Sequence, residues 1–434
     1  MIVSIRACLF ALLCCSPFWN ISAEPLILKT STFNFKPTIG LISSYDSNVF
    51  YEAPREPTGE EPNQGFFMRV KTGARLENRN KENLDFSLQL SSIYRDYFHI
   101  ENPNGRLNEA QLNGRDGLDT VMGDVALGVG QSSSLGVIVS DQFRYVERPT
   151  YEGAIFGFER INNTTKAGLR FAPGGIRNNG PLRFDLSYGF QFLTFLNELL
   201  VSPIQQRTEK NAHLATLKSR WRFLPKNFLI LEMEYISNDY NDFSQVDGES
   251  LSPEELSRDS NPFRAQIGIS GLITSRLSLF LKGGYGTTGN VNRSSFEGFI
   301  GTFVAEYTKQ NMKMSFGYQR DGRDSGFSNF YTLNRYFGKA RIALSQRWMI
   351  NGAISYDEYQ YDATNAIDEV ARFDPLIRGQ FRIYRSFNDI WGTYLSWSIE
   401  VNQTDYASPT TPGARVTDFA QYERHLVNFG IDFN

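Results

Sequence analysis

The chain has 434 residues with 44 Lys and Arg, 47 Asp and Glu and a formal net charge of -3, which gives no reason to expect a nucleic-acid partner. Aromatic residues make up 14% of the chain, including 35 Phe and 21 Tyr, yet only 41% of residues are hydrophobic, which favours strands over helices. After the first 25 residues no apolar stretch reaches the roughly 18 residues of a membrane-spanning helix, so proteins anchored by such helices are excluded.

The N-terminal segment, residues 1–23, is predicted to be a secretory signal peptide. Arg6 precedes an apolar run that ends near Trp19, and small residues lead to a cleavage site after about Ala23. The run is too short to span a bilayer, so we expect export and a short periplasmic segment over residues 24–32. All three cysteines lie within the leader, so the mature chain is predicted to contain no disulfide and no cysteine metal site.

The rest of the chain alternates between apolar or aromatic side chains and small or polar ones, as strands do. Many of these segments exceed ten residues and carry Gly and Ser on the polar face, which suits a water-filled lumen better than the surface of a two-sheet sandwich. The predicted strands cover about 33–47, 65–77, 84–99, 118–130, 134–147, 160–172, 181–195, 210–223, 227–239, 261–273, 276–288, 296–307, 311–321, 330–344, 347–360, 371–384, 389–403 and 418–433.

The connections between these segments alternate between short and long. Ser132-Ser133 and Thr274-Ser275 are short, whereas YEAPREPTGEEP and ASPTTPGARV are long. Short periplasmic turns, long external loops and an even strand number are typical of bacterial outer-membrane barrels. We therefore predict an all-β fold for residues 33–434, a transmembrane antiparallel up-and-down β-barrel of about 18 strands in the bacterial outer membrane.

The C-terminal segment HLVNFGIDFN places apolar and aromatic side chains on one face of a strand. We expect this face to contact membrane lipid rather than a protein core. An alternating segment that ends in an aromatic residue resembles the signal recognised by the barrel-assembly machinery, although Asn434 follows the aromatic residue here. The residues of this predicted assembly signal are Val427, Phe429, Ile431 and Phe433.

Strand parity also predicts which charged side chains face the lumen. Roughly twice as many cations as acids fall on the inner face, so the wall is expected to concentrate anions. Alternatively, the cations fill a wet lumen and pair with carboxylates and with lipopolysaccharide phosphates. Asp141 falls on the lipid face, which requires a bulge near Ser140 or an end outside the membrane. The predicted pore-lining contacts are Arg69, Lys71, Arg75, Arg95, Arg170, Arg183, Lys218, Arg220, Arg222, Arg264, Lys282, Arg341, Arg378 and Arg382.

The first predicted strand ends in SSYDSNVFYE, and here the chain resembles the β-barrel porins of exopolysaccharide gene clusters, the barrel component of Wzx/Wzy-type secretion. The matching positions are Tyr45, Asp46, Asn48 and Phe50, in a Tyr-Asp-x-Asn-hydrophobic-aromatic element. The resemblance implies passive export of an exopolysaccharide together with a periplasmic polysaccharide export protein. The alternative for this element is a plain strand-to-loop turn, in which Asp and Asn suit local backbone hydrogen bonds.

Two other functions stay open. The main alternative to polysaccharide export is a general or anion-selective diffusion porin for small solutes. A structural barrel or an enzyme at the outer rim is a further alternative, for which the candidate histidines are His99, His213 and His425. No nucleophile motif accompanies them, so we expect no enzyme, no cofactor and no metal. The expected partners are outer-membrane lipid, lipopolysaccharide, the barrel-assembly machinery and a polysaccharide or small anionic solute.

Overall fold

The computed structural model describes residues 28–29, 33–48, 64–78, 84–100, 117–130, 133–146, 160–174, 180–195, 209–240, 259–291, 294–325, 329–362, 373–403 and 422–433. Within these ranges no helix is both long and apolar enough to cross a membrane. The regular structure consists of strands: β1 (Leu28–Lys29), β2 (Phe33–Asp46), β3 (Gly65–Asn78), β4 (Leu84–Ile100), β5 (Gly117–Val129), β6 (Leu135–Val146), β7 (Arg160–Phe171), β8 (Leu182–Phe195), β9 (Lys210–Leu224), β10 (Asn227–Tyr240), β11 (Phe263–Leu272), β12 (Leu277–Thr287), β13 (Glu297–Lys309), β14 (Met312–Asp324), β15 (Phe330–Ala343), β16 (Trp348–Tyr361), β17 (Phe373–Ser386), β18 (Trp391–Asn402) and β19 (Tyr422–Phe433).

Each strand from β2 to β19 pairs antiparallel with the next strand in the chain, and β19 pairs with β2. The sheet therefore closes into an 18-strand barrel, and the predicted fold class is confirmed. Closure leaves no exposed edge and pairs the backbone polar groups within the sheet, as a hydrocarbon environment requires. The short strand β1 adds a pairing that the sequence did not predict, Leu28 with Phe35 and Lys29 with Asn34.

Apolar side chains cover the outer face of the barrel instead of filling a core. Ile267 is 58% exposed, Leu186 55% and Phe429 52%, whereas their neighbours in sequence point inward. Because successive side chains of a strand alternate between faces, this exposure assigns an inner or outer face to every residue of a regular strand. The strongly exposed apolar band is the surface that lipid covers in a transmembrane barrel.

Aromatic residues line the outer face at the end of the barrel that carries the short turns. Phe387 and Trp391 stack with ring centroids 4.1 Å apart, and Trp391 stacks on Phe433 at 6.5 Å. Trp348 lies two strands away at the same end. Such rings mark the level of the lipid headgroups, here on the periplasmic side.

The strand predictions agree with the observed strands to within a few residues, and residues 418–421 of the last predicted strand lie outside the described ranges. The suggested bulge near Ser140 is wrong, because β6 pairs with β5 and β7 in an unbroken register. Asp141 therefore does face outward, where its carboxylate accepts a 2.5 Å hydrogen bond from Thr165 Oγ1. Register shifts lie elsewhere, between Phe66 and Phe67, between Ile93 and Tyr94, and between Asn227 and Phe228.

Candidate transport lumen

Every cation predicted to line the pore lies on a face opposite the exposed apolar side chains. On β9, for example, Lys218, Arg220 and Arg222 alternate with outward-facing Trp221, which is 49% exposed, and Phe223, which is 44% exposed. The same parity holds for the remaining positions: Arg69, Lys71, Arg75, Arg95, Arg170, Arg183, Arg264, Lys282, Arg341, Arg378 and Arg382. Inward placement is a matter of geometry, and contact with a solute stays a prediction.

Many of these cations are paired with carboxylates, as the alternative interpretation of the basic wall expected. Three carboxylates each bind two arginines: Asp185 binds Arg170 and Arg183, the fully buried Asp357 binds Arg335 and Arg378, and Asp321 binds Arg264 and Arg323. Other inward pairs, given as N···O distances, are Lys36–Glu77 at 3.4 Å, Arg75–Glu77 at 3.1 Å, Arg95–Asp119 at 3.1 Å, Arg144–Asp124 at 2.7 Å, Lys282–Glu232 at 2.7 Å and Lys313–Glu306 at 2.9 Å.

A basic patch, defined as Arg170, Arg183, Lys218, Arg220 and Arg222, lies on β7 to β9 near their turn ends. Arg183 and Arg220 occupy directly opposite positions on paired strands. Like charges that face each other in this way destabilise a sheet, and Asp185, which binds Arg170 and Arg183, offsets part of that cost. Arg220 also lies over the ring of Phe228, 4.2 Å from its centroid. The patch is a concentration of positive charge in the part of the lumen nearest the periplasm.

An inward-facing arginine, Arg382, lies on the other side of the barrel. Its guanidinium lies over the ring of Tyr394, 4.5 Å from the ring centroid, and that ring lies close to Gly430. A Cβ at position 430 would come within 2.3 Å of the Tyr394 ring, so glycine is needed for this close approach. The inner wall therefore presents arginine on both sides of the lumen near the turn end.

At the loop end of the inner wall, side-chain contacts link neighbouring strands and also strands three or four positions apart in the sheet. Arg264 on β11 binds Glu234 on β10 at 3.1 Å, and its guanidinium also reaches Asp321 at 3.4 Å and the Gly322 carbonyl at 2.9 Å on β14. Beyond them, Asp324 accepts hydrogen bonds from Asn238 Nδ2 and Ser260 Oγ at 2.8 and 2.6 Å. These contacts, named here the β10–β14 bridge, narrow the lumen at the loop end.

The described strands form at least two cavities inside the barrel. The first has a volume of about 590 Å³ and includes Lys218, Glu232, Arg264 and Gln266 in its wall. The second has a volume of about 570 Å³, and its wall includes Arg335, Lys339, Arg378 and Arg424. Gln319 on β14 lines both cavities, so it lies at the boundary between them. Cavities of this size suit single small polar molecules.

The loop end of the inner wall also carries buried tyrosine and leucine side chains. Tyr331, Leu333, Tyr359, Tyr361 and Leu376 form a cluster in which no residue is more than 5% exposed. All five lie on the inner face of β15 to β17, paired in register with one another or with inward-facing residues. The lumen is therefore not water-filled across its whole width at this level.

The element that carries the family resemblance lies at the seam where the barrel closes. Asp46 is 1% exposed and binds Arg424 through both carboxylate oxygens, with N···O distances from 2.5 to 3.1 Å. Asn48 donates its backbone N–H to Asp46 at 3.1 Å, the local hydrogen bond that the turn interpretation expected, and donates Nδ2 to the Glu423 carbonyl at 3.2 Å. Tyr45 points outward, its hydroxyl 2.6 Å from Gln64. Phe50 lies outside the described residues.

The assembly-signal residues Val427, Phe429, Ile431 and Phe433 all point outward on β19, as the alternation predicted, while recognition by the assembly machinery stays a prediction. His213 and His425 also point outward. His213 binds the Tyr188 hydroxyl at 2.6 Å, and His425 stacks on Trp397. Within the described ranges no group of three or more His, Cys, Asp or Glu could hold a metal ion.

The sequence did not predict the roles of some residues on the inner wall. Arg335 has the parity of Lys339 and could have been found in the same strand. Asp119 partners Arg95 only because the register shifts between β4 and β5, which nothing in the local sequence indicates. Asp324 lies beyond the predicted end of its strand, so its role in the β10–β14 bridge was missed.

A closed 18-strand barrel with an apolar outer face, a polar inner wall and an aromatic edge has the architecture of a bacterial porin. The chain is an outer-membrane β-barrel.

No family model matches the chain, and no curated protein matches it. Solved structures with a similar fold are those of Pseudomonas aeruginosa OpdQ (8% identity, 92% of this chain and 97% of that chain, TM-score 0.47), P. aeruginosa OccK2 (OpdF) in complex with glucuronate (8% identity, 92% and 98%, TM-score 0.48) and Acinetobacter baumannii OccAB3 (10% identity, 92% and 98%, TM-score 0.45). At these identities the likeness concerns the fold alone.

Proposed function

We propose that this barrel is a passive diffusion channel for small anionic solutes. The observation that carries the proposal is the basic patch, in which Arg183 faces Arg220 directly and Arg222 lies beside them on the inner wall. Positive charge held on the wall of a pore raises the local concentration of anions and lowers the barrier to their passage. The described residues contain no nucleotide-binding motif, so the solute moves down its own gradient.

The cavities and the β10–β14 bridge support a small solute over a polymer. Two cavities of about 590 and 570 Å³ are each large enough for a single sugar acid or a short organic acid. A polysaccharide chain needs a continuous opening along the barrel, and Arg264, which reaches from β11 to β14 three strands away, occupies part of the lumen on that side. Polysaccharide export through a basic lumen, with a periplasmic export protein as partner, is the interpretation that these features favour less.

Uptake into proteoliposomes tests the proposal. The purified full-length protein is reconstituted, and the entry of glucuronate is compared with that of glucose, a neutral sugar of similar size. We expect glucuronate to enter faster, and we expect the double variant Arg183→Gln, Arg220→Gln to reduce its entry without slowing glucose. Equal entry of both sugars, unchanged in the variant, would contradict the proposal.

A matched control uses two cations on the outer face at the same end of the barrel, Lys309 of β13 and Arg385 of β17, both of which are exposed. The double variant Lys309→Gln, Arg385→Gln removes the same charge from outside the lumen. Its glucuronate entry should equal that of the unmodified protein.

A further inference from the structure

Arg385 occupies an unusual position on the outer face of the barrel. Along β17, residues of its parity point to lipid, and Phe381 among them is 42% exposed. The inward residues of the same strand include Arg378 and Arg382, so β17 carries arginines on both faces. Arg385 is the last outward residue before the β17–β18 turn, and its side chain is exposed. An arginine on the lipid face needs a polar partner at that depth.

The guanidinium of Arg385 lies over two aromatic rings at the periplasmic end of the barrel. It lies 5.1 Å from the ring centroid of Trp348, its cross-strand partner, and 4.7 Å from that of Phe387. Phe387 is held in turn by Trp391, which stacks on it at 4.1 Å. Stacking uses the face of the guanidinium and leaves its N–H groups at the planar edge available for hydrogen bonds.

No ion pair within the described part of the chain involves Arg385, although Asp389 lies four positions away. Two backbone N–H groups, those of Ile390 and Trp391, donate to Asn388 Oδ1 at 2.9 Å and fix the turn beside it. The site therefore offers a fixed cation on an aromatic shelf at the level of the lipid headgroups.

We propose that Arg385, with Trp348 and Phe387 as its shelf, binds the phosphate of a glycerophospholipid in the periplasmic leaflet of the outer membrane. A phosphate diester supplies the anion that a planar guanidinium binds with paired hydrogen bonds. The acyl chains attached to the same phosphate run along the apolar wall formed by residues such as Phe381 and Ile383. The site is independent of the solute that passes through the lumen.

Native mass spectrometry of the full-length protein, released from detergent with phosphatidylglycerol added, tests the inference. We expect Arg385→Gln to weaken lipid retention about fivefold to tenfold, because a charge-assisted hydrogen bond is lost. Arg385→Lys keeps the charge but not the planar fork and should give an intermediate loss. Arg276→Gln, which removes an exposed turn arginine at the same end, should retain as much lipid as the unmodified protein.

The heat-dependent gel mobility of each variant verifies that the barrel is folded before the spectra are compared. Equal lipid retention by folded Arg385→Gln and unmodified protein would overturn the inference. A second arm adds glycerol 3-phosphate, which has the phosphate without acyl chains. If it displaces the lipid at equal concentration, the site recognises free phosphate, and the assignment to a phospholipid fails.

Discussion

Asp46 in β2 and Arg424 in β19 form a two-point ion pair that joins the first and last strands of the barrel, with Arg424 Nη2 2.5 Å from Asp46 Oδ2. The two side chains are 1% and 11% exposed. Backbone pairing continues beyond the strand end, where Ser47 N–H donates to the His425 carbonyl at 2.9 Å. The Tyr-Asp-x-Asn element that carries the family resemblance therefore also helps to close the barrel, because its Asp46 binds Arg424 at the β2–β19 seam.

Breaking this pair should destabilise the closed barrel. Asp46→Asn leaves the Arg424 guanidinium buried without its carboxylate, and losing one partner of a buried pair costs about 3–5 kcal/mol. Urea unfolding in lipid vesicles measures the change. Combining it with Arg424→Gln should cost less than the sum of the two single changes, because both remove the same interaction. Additive costs would indicate that the pair contributes nothing of its own.

The face assignment of β11 predicts opposite outcomes for neighbouring positions. Ile267 points to lipid and is 58% exposed, whereas Gln266 lines the first cavity. Ile267→Arg should lower the free energy of unfolding by about 2–4 kcal/mol, the cost of arginine near the middle of the lipid band. Gln266→Arg should leave stability nearly unchanged, since water and Glu232 are close by. The reverse order in the same unfolding assay would show that the inner and outer faces are exchanged.

The β10–β14 bridge is expected to limit conductance. Arg264→Ala removes the contacts with Glu234, Asp321 and the Gly322 carbonyl, so the loop end of the lumen should widen and the single-channel conductance should rise. Arg341→Ala is the matched control, because Arg341 lies near the turn end and its guanidinium contacts Met349 of the adjacent strand. A conductance unchanged by the first substitution would mean that the narrowest point lies elsewhere.

Most of the fold could be predicted from the sequence, because a barrel in lipid exposes its pattern directly. Because most apolar side chains of the strands face outward, alternation such as that of Leu186 and Ser187 predicts the strand, its outer face and the lipid environment of that face together. With 18 strands that each pair with the next one in the chain, the barrel closes by pairing the last strand with the first of them. The inner-wall placement of the cations followed from the same parity.

Less of the lumen was predictable. Alternation says which face Arg264 is on, but not that its side chain reaches β14, three strands away, because barrel curvature decides which inward side chains meet. Whether an inward cation is paired with a carboxylate also depends on how far its side chain extends. Arg335 and Arg378, for example, come from two different strands and both bind Asp357. The register shift beside Asp119 has no local signal. The proposal of a small solute rather than a polymer rests on contacts of this kind, which alternation alone does not give.

Ion selectivity in a planar bilayer tests the central claim of an anion-conducting lumen most directly. The reversal potential under a salt gradient should indicate anion preference for the unmodified protein, and Arg220→Gln with Arg222→Gln should shift it toward zero. The same charge change at Lys309 and Arg385, on the outer face of the barrel, should leave the potential unaltered. A cation-selective channel, or an anion preference that is unaffected by loss of Arg220 and Arg222, would contradict the account.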